Sequence, residues 1–229
     1  MADPREPFYD ETTVMSDFHL HEKTVLLALR ERKGTPVPGS FALGGACLAA
    51  LCLCGRLGIV PGRKGLIEVV DRMPTGEAVL DDCLERVVRA RRQSHAVHWV
   101  KRFNAGDTYH RTASGLCRRG ILRADNVRAW LLFTRRVHRI IDSEPRRRLI
   151  DLLSEGVFGD PAPVDPETMI LTALADAGGI LRVHFARKQL RNRRRHLREL
   201  AARNVVGDTV SRAVREAQRA AASTTGAAG

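Results

Sequence analysis

The chain has 229 residues, of which 44% are hydrophobic and only 5% are aromatic. This length fits one domain, whose core must be built mainly from Leu, Val, Ile and Ala. The formal charge of +12 at pH 7 favours a polyanionic partner, either nucleic acid or an anionic membrane surface. The longest apolar run is shorter than the roughly 20 residues that cross a bilayer, so no membrane-spanning helix is predicted. The acidic N-terminus MADPREPFYDETT is unlike a signal peptide, which favours a cytoplasmic location.

The first segments lead into a buried helix. Residues 1–16 are polar and are predicted to form a flexible arm. The apolar periodicity of HEKTVLLALRER predicts an amphipathic helix over residues 21–32, and Pro36 and Pro38 cannot continue it. Ser40 is a candidate N-cap for the segment that follows.

That following segment, FALGGACLAALCLCGRL over residues 41–57, is the longest apolar stretch of the chain. A helix that is apolar on every side belongs in the centre of a globular domain. Its small residues Gly44, Gly45 and Ala46 would let neighbouring helices approach closely. The sequence therefore predicts a central helix around which the rest of the domain is wrapped.

Two segments are predicted to form small β-hairpins. In residues 58–70, β-branched residues flank a turn at Pro61-Gly62. In residues 121–133, a polar turn at Ala124-Asp-Asn126 precedes the apolar segment Trp130-Leu-Leu-Phe133. The remaining segments are predicted to be helices over residues 77–91, 94–104, 109–119, 145–153, 166–177, 181–202 and 208–222.

The predicted fold class is mainly α, with an apolar central helix wrapped by amphipathic helices and one or two small β-hairpins. Thr75 or Gly76 is expected to cap the helix over residues 77–91, and Gly120 is expected to end the helix over residues 109–119. Residues 17–222 are expected to form a single helical domain, followed by a loose tail over residues 223–229.

No motif in the sequence indicates catalysis or a metal site. The chain contains no P-loop, G-x-G-x-x-G, H-E-x-x-H or G-x-S-x-G pattern. Its five cysteines include no C-x-x-C pair, and three of them lie in the apolar segment, where Cys behaves as a small hydrophobic residue. The sequence therefore favours a binding protein over an enzyme, with no metal and no cofactor.

Several motifs, in a fixed order, resemble the Golgi phosphoprotein 3 family. The segment LIEVVDRMPTGEAVLDDCLERV over residues 66–87 is similar to the family pattern P-T-G-x-x-L-L-D-E-A-L. Upstream, HEKTVLLAL resembles E-E-x-x-L-L-x-L, and LCGRL resembles the end of E-L-A-L-R-G-R-L. Downstream, Trp99-Val100, the segment over residues 116–122 and Trp130-Leu-Leu-Phe133 resemble W-I, L-V-E-K-G-V-L and F-L-L-F. The order extends over residues 18–205.

The resemblance implies a largely helical peripheral membrane protein that acts as an adaptor. Eukaryotic members bind phosphatidylinositol 4-phosphate, insert an apolar hairpin into the bilayer and hold glycosyltransferase tails at the Golgi. The residues that match the inserting hairpin are Trp130, Leu131, Leu132 and Phe133. An amphipathic Trp flanked by Arg128, Arg135 and Arg136 suits the headgroup boundary of a bilayer. The alternative is a buried strand that packs on the core.

The family's headgroup pocket matches this chain less well. By the resemblance, the Trp of that pocket falls near Thr35, its helical Arg at Gly44, and its paired arginines near Gly106 and Tyr109. A less specific anion site is predicted instead from basic residues that lie close together in the sequence. These residues are Lys101, Arg102, Arg111, Arg118 and Arg119. For each of them the alternative is a solvated surface charge.

The sequence leaves a second function open, which is non-specific nucleic-acid binding through the Arg-rich helix over residues 187–198. Such binding would come from phosphate neutralisation and would fall steeply with salt. No helix-turn-helix or stacking-aromatic signature supports sequence-specific recognition of nucleic acid. The resemblance instead implies a location on the cytoplasmic face of a membrane and an anionic phospholipid partner. A protein client or a second copy of the chain would be a further partner.

Overall fold

The structure, a computed structural model, describes residues 17–105, 107–130, 133–159 and 165–226. Within them the protein is mainly α-helical with small antiparallel strand pairs, which confirms the predicted fold class. The helices are α1 (Leu20–Ala28), α2 (Ala42–Leu53), α3 (Ala78–Val88), α4 (Ala96–Asn104), α5 (Thr108–Arg118), α6 (Glu144–Phe158), α7 (Pro166–Ala177), α8 (Leu181–His184), α9 (Arg187–Asn192), α10 (Arg194–Ala202) and α11 (Val205–Gly226). The strands are β1 (Leu29–Arg30), β2 (Thr35–Pro36), β3 (Leu57–Ile59), β4 (Leu66–Val69), β5 (Ser94–His95), β6 (Leu122–Trp130) and β7 (Phe133–Ile140).

Helix α2 lies at the centre of the fold. It contacts α1, α3, α4, α7 and α11. The side chains of Cys47, Leu48 and Leu51 are completely buried. The prediction of a buried central helix is therefore confirmed, although the helix is shorter than the apolar segment at both ends. Ser40 Oγ accepts a hydrogen bond of 3.3 Å from the first amide of the helix, but Ser40 lies one residue outside the N-cap position.

The two glycines of α2 allow the neighbouring helices to come close. A Cβ atom at Gly44 would lie 2.1 Å from the carbonyl oxygen of Val100 on α4. A Cβ atom at Gly45 would lie 2.7 Å from side-chain carbons of Leu174 on α7 and Val214 on α11. Because real Cβ atoms do not approach backbone atoms this closely, the observed spacing of α2 and α4 requires glycine at Gly44, whereas at Gly45 the ends of side chains would have to shift.

Helix α1 ends four residues before the predicted end, at Ala28. The chain becomes extended at Leu29 and returns through a turn at Gly34, whose φ is +60°. The buried guanidinium of Arg146 on α6 donates hydrogen bonds to the carbonyl oxygens of Leu26 at 3.1 Å and of Leu29 at 2.9 Å. The helix therefore ends where a distant side chain satisfies its last carbonyls, which local periodicity cannot reveal.

The cap of α3 also differs from the prediction. Glu77, rather than Thr75 or Gly76, is the N-cap residue, and its carboxylate accepts a hydrogen bond from the Leu80 amide at 2.7 Å. The Thr75 hydroxyl lies further out and donates to Asp81 at 2.7 Å. Preference for a short polar N-cap is only a tendency, and here the longer carboxylate reaches the same amide.

The first predicted hairpin is confirmed as the antiparallel pair β3–β4. A third strand, β5, joins its edge, with Leu66 opposite His95 and Ile67 opposite Ser94. The helix predicted from Ser94 therefore begins only at Ala96.

The second hairpin is present, but the predicted turn at Ala124–Asn126 is wrong. These residues lie within β6, where Ala124 pairs with His138 and Asn126 pairs with Arg136. The hairpin instead reverses beyond Trp130, which pairs with Phe133. The Asp-Asn pair is polar because this strand is exposed, not because the chain turns there.

The Arg-rich region is not one helix. The predicted helix over residues 181–202 is divided into α8, α9 and α10, with a break at Arg193 inside the proposed nucleic-acid-binding segment. At the break, the Arg193 side chain donates to the Phe158 carbonyl at 2.6 Å. Further along, α11 includes residues 223–226, which the sequence places in a loose tail. Each helix of the described residues is too short or too polar to span a bilayer.

The packing at α2 leads to a stability prediction. Gly44→Ala should lower the free energy of unfolding by about 2–3 kcal/mol, because the new methyl group would overlap the Val100 carbonyl of α4. Urea denaturation monitored by circular dichroism measures this change.

Gly115→Ala is the matched control. Gly115 also lies in a helix, but a Cβ atom there would have its nearest neighbour 3.8 Å away, on the Arg118 side chain. Without a clash, alanine should raise stability by roughly 0.5–1 kcal/mol through helix propensity. A Gly44→Ala variant as stable as wild type would contradict the assigned packing of α2 on α4.

Candidate functional site

The β6–β7 hairpin joins the core at its base. Leu122 and Val137 at its base are buried. The His138 amide donates to the carbonyl oxygen of Gly34 at 2.8 Å, which ties β7 to the turn after α1. Beyond the base, residues 123–127 of β6 are exposed or half-exposed. The described contacts therefore anchor the hairpin at its base.

The predicted inserting segment lies at the other end of this hairpin. Trp130 and Phe133 are the last pair of the ladder. Leu131 and Leu132 lie outside the described residues. Lower down, the Asp125 carboxylate accepts from Arg123 at 3.0 Å and from Arg139 at 2.8 Å, so an ion-pair cluster connects the two strands.

Two of the predicted basic residues, Arg111 and Arg118, line one cleft beside α5, here called the α5 cleft. Its volume is about 450 Å³. The starts of α1 and α3 and the length of α5 surround it, and β7 contributes Arg136. The charged residues that line it are Arg111, Arg118, Arg136, Glu22, Glu77 and Asp107. Three cations and three carboxylates give a formal charge of zero, so the cleft does not concentrate positive charge.

Much of this positive charge already has a partner. Arg111 donates to the carbonyl oxygen of Ala78 at 2.9 Å and lies 3.4 Å from an oxygen of Asp82. Arg119 lies behind the cleft, where it forms a 3.2 Å ion pair with Glu22. Its guanidinium carbon also lies 3.9 Å from the centroid of the Phe18 ring. Arg111 and Arg119 therefore hold α5 against α3 and α1.

The other three predicted cations, Arg118, Lys101 and Arg102, lie in two different places. Arg118 and Arg136 face the cleft and form no ion pair with a described residue. Lys101 and Arg102 are exposed on α4 and do not line the cleft. The structure thus brings together two of the five predicted residues and adds Arg136. In the sequence, Arg136 lies close to the hairpin end. Its position at the cleft depends on the register of β7, which the sequence pattern does not reveal.

His21, at the start of α1, is a buried polar residue of this cleft. Its side chain is 1% exposed, and neither ring nitrogen has a hydrogen-bond partner among the described residues. Burial, with a smaller contribution from His19, lowers the pKa of His21 to about 3. The ring is therefore neutral at physiological pH, and its 3.6 Å approach to Glu77 is not an ion pair. His21 adds no positive charge to the cleft.

Comparison with known proteins identifies the family. The family model described as Golgi phosphoprotein 3 (GPP34) matches residues 20–221. The chain belongs to the Golgi phosphoprotein 3 family. It is also 28% identical, over 215 residues, to vacuolar protein sorting-associated protein 74 of Eremothecium gossypii. That alignment covers 80% of this chain and 64% of the relative, so about a third of the relative has no counterpart in it.

The positions that the resemblance assigns to the family's headgroup pocket have other contacts here. Thr35 is buried and accepts a 2.9 Å hydrogen bond from Arg30. Gly44 lies against α4 with no room for a side chain. The Tyr109 hydroxyl lies 3.1 Å from Nδ1 of His138, a ring whose pKa is lowered by burial, then by His110 and Arg136. Gly106 lies outside the described residues.

His21 gives this region a testable pH dependence. Its pKa is about 3 in the folded protein and near 6.5 when unfolded, so the unfolded chain binds the extra proton as the pH falls. The stability that depends on a neutral His21 is therefore present above pH 6.5 and is lost toward pH 3. This loss should be roughly 3 kcal/mol between pH 7 and pH 4.

Urea denaturation at both pH values, on wild type and His21→Gln, isolates this contribution because all other groups titrate in both proteins. The variant should lose roughly 3 kcal/mol less than wild type. His98→Gln is the control, since the His98 ring is exposed and the wild-type pH dependence should remain. Equal losses in wild type and His21→Gln would show that His21 is not held neutral by burial.

Proposed function

We propose that this protein is a peripheral membrane adaptor that binds anionic phospholipid surfaces by inserting the end of the β6–β7 hairpin. The observation that carries this proposal is the pairing of Trp130 with Phe133, which flank Leu131 and Leu132 in the sequence, as the last pair of a hairpin whose residues 123–127 are exposed or half-exposed. Membership of the Golgi phosphoprotein 3 family supports it. The high positive charge supplies attraction to the same surface.

The two contributions have different roles. Burial of one large apolar side chain contributes roughly 1.5–3 kcal/mol, so a hairpin end with Trp, two Leu and Phe can anchor a soluble domain reversibly. Each basic residue near an anionic surface adds about 1 kcal/mol, and this attraction is screened by salt. Arg118 and Arg136 beside the hairpin are candidates for such contacts, as are Lys101 and Arg102 on α4.

Selective recognition of phosphatidylinositol 4-phosphate is not part of this proposal. The α5 cleft is formally neutral, and Thr35, Gly44 and Tyr109 have structural contacts where the family resemblance places the pocket. We therefore expect binding to follow the surface charge of the membrane and not the identity of one headgroup.

An adaptor also needs a partner on its other faces. The relative's name refers to vacuolar protein sorting, and this supports a role in which the domain places a client protein at a membrane. The sequence contains no recognised catalytic motif. Among the described residues, no group of three or more His, Cys, Asp or Glu side chains is placed to hold a metal ion. The proposed activity is therefore binding, with a protein client or a second copy of the chain as partner.

The hairpin can be tested by vesicle co-sedimentation at moderate salt. Trp130→Ala with Leu131→Ala should weaken binding to phosphatidylglycerol-containing vesicles at least about tenfold, because two inserting side chains are removed. Val70→Ala with Met73→Ala is the matched control. Both side chains are apolar and well exposed, at 64% and 67%, but they lie on the β4 end and the loop after it. Unchanged binding of the Trp130 and Leu131 variant would rule out insertion.

Headgroup selectivity can be tested with vesicles matched in surface potential. Wild-type protein should bind phosphatidylinositol 4-phosphate, cardiolipin and phosphatidylglycerol vesicles within about threefold of one another, and neutral vesicles much more weakly. The expectation follows from the neutral cleft and from the lack of space at Gly44. A preference above about tenfold for the phosphoinositide would show that a selective pocket exists.

A further inference from the structure

A second concave surface lies between the end of α7 and the three short helices α8, α9 and α10, here called the α8–α10 groove. Its volume is about 460 Å³. The chain leaves α7 through Gly179, which has a φ of +73°, a left-handed conformation that glycine adopts without strain. At the far side, the Arg193 side chain donates a hydrogen bond to the Phe158 carbonyl oxygen, and His196 Nε2 lies 3.0 Å from the Gly156 carbonyl oxygen. These contacts to α6 hold the chain at Arg193, the break between α9 and α10 where the chain curves.

The charge of this groove is strongly positive. Five basic residues line it, against one carboxylate, that of Asp176. The basic residues are Arg182, Arg187, Lys188, Arg191 and Arg194. The formal charge is therefore +4, whereas the α5 cleft has a formal charge of zero. A concave surface with charge of one sign focuses its field and attracts counter-ions.

These five cations also lack the partners that other arginines have. Arg195 pairs with Glu199 at 2.7 Å, and Arg212 pairs with Asp208 at 2.8 Å, each one helical turn away. None of the five groove cations forms an ion pair within the part of the chain that the structure describes. Mutual repulsion of unpaired cations in one groove is unfavourable unless an anion occupies it.

Asp176 does not neutralise the groove. Its side chain is 43% exposed and lies 3.9 Å from Arg215, which is outside the groove lining. Partial burial raises the pKa of Asp176, while Arg215, Arg182 and Arg194 act in the opposite direction. The one carboxylate is therefore shared with a cation of α11.

The spacing of the arginines suits a compact anion with several oxygens. Arg187 and Arg191 are one turn apart on α9, and Arg194 opens α10. Guanidinium groups bind phosphate oxygens through paired hydrogen bonds, and a lysine adds a point charge. The volume lies within the range of about 300–1,000 Å³ usual for small-ligand sites. A groove of this size favours a single phosphorylated group over an extended nucleic-acid duplex.

We propose that the α8–α10 groove is an anion-binding site for a phosphomonoester, carried either by a soluble metabolite or by a lipid headgroup. Arg187, Arg191 and Arg194 would hold the phosphate oxygens, and Arg182 and Lys188 would supply further positive charge. The proposal is independent of hairpin insertion.

Titration calorimetry of the full chain with glycerol 3-phosphate at 150 mM salt tests the site. Arg187→Gln with Arg191→Gln should weaken binding at least about tenfold, because two charge-assisted contacts are lost. Arg91→Gln with Arg92→Gln removes the same charge from exposed residues outside the groove and should change the affinity by less than about twofold. The variant Trp130→Ala with Leu131→Ala should bind glycerol 3-phosphate like wild type, which separates this site from the hairpin.

Co-sedimentation with phosphatidylcholine vesicles containing phosphatidic acid identifies the source of the phosphate. If the lipid is the ligand, the variant at Arg187 and Arg191 should lose more vesicle binding than the variant at Arg91 and Arg92. If only glycerol 3-phosphate binding responds, the ligand is soluble. Either result supports the groove.

Three results would overturn the proposal. The first is that neither probe binds wild-type protein. The second is an equal loss in both double variants, which would mean that only the net charge matters. The third is binding of a DNA duplex that depends on Arg187 and Arg191 while both phosphate probes fail, which would make the region a nucleic-acid surface.

Discussion

The close approach of α4 to α2 at Gly44 is the constraint on which the rest of the fold depends. The Gly44 amide also donates to the Asn104 side chain at 3.3 Å, so the contact is both steric and polar. On the other side, a Cβ atom at Gly45 would first meet side-chain carbons of Leu174 on α7 and Val214 on α11, at 2.7 Å. Because α2 is apolar on all sides, every helix that packs on it gains apolar burial, and the small residues decide how near each one lies.

The sequence predicts those elements of the fold that depend on local pattern. The buried α2, the β3–β4 hairpin and the helix Pro166–Ala177 follow from hydrophobic runs, β-branched residues and a proline in the first turn. The errors occur where residues distant in the sequence determine the local structure. Helix α1 ends where Arg146, from α6, reaches its carbonyls. The local pattern places the turn of the second hairpin around Asp125, but the charge of that residue serves an ion pair across the strands.

The candidate sites show the same division. Residue type and sequence proximity identify Arg111, Arg118 and Arg119 as basic, but only the fold shows that Arg111 and Arg119 are engaged with Asp82 and Glu22. The α8–α10 groove could not be predicted, because a continuous helix would spread its arginines around the axis. The breaks between α8, α9 and α10 bring them around one groove. The high net charge is therefore not a measure of where anions bind, since its effect depends on which cations remain unpaired.

Gly44 connects core packing to lipid recognition. Where the family resemblance places a headgroup-binding Arg, this chain has a glycine whose lack of a side chain allows α4 to touch α2. An Arg at this position would need α4 to move outward, which would separate the apolar surfaces of the two helices. Close packing and a headgroup-binding side chain cannot both be accommodated with this backbone. The proposed membrane affinity must therefore come from other parts of the chain, such as the β6–β7 hairpin and the α8–α10 groove of unpaired arginines.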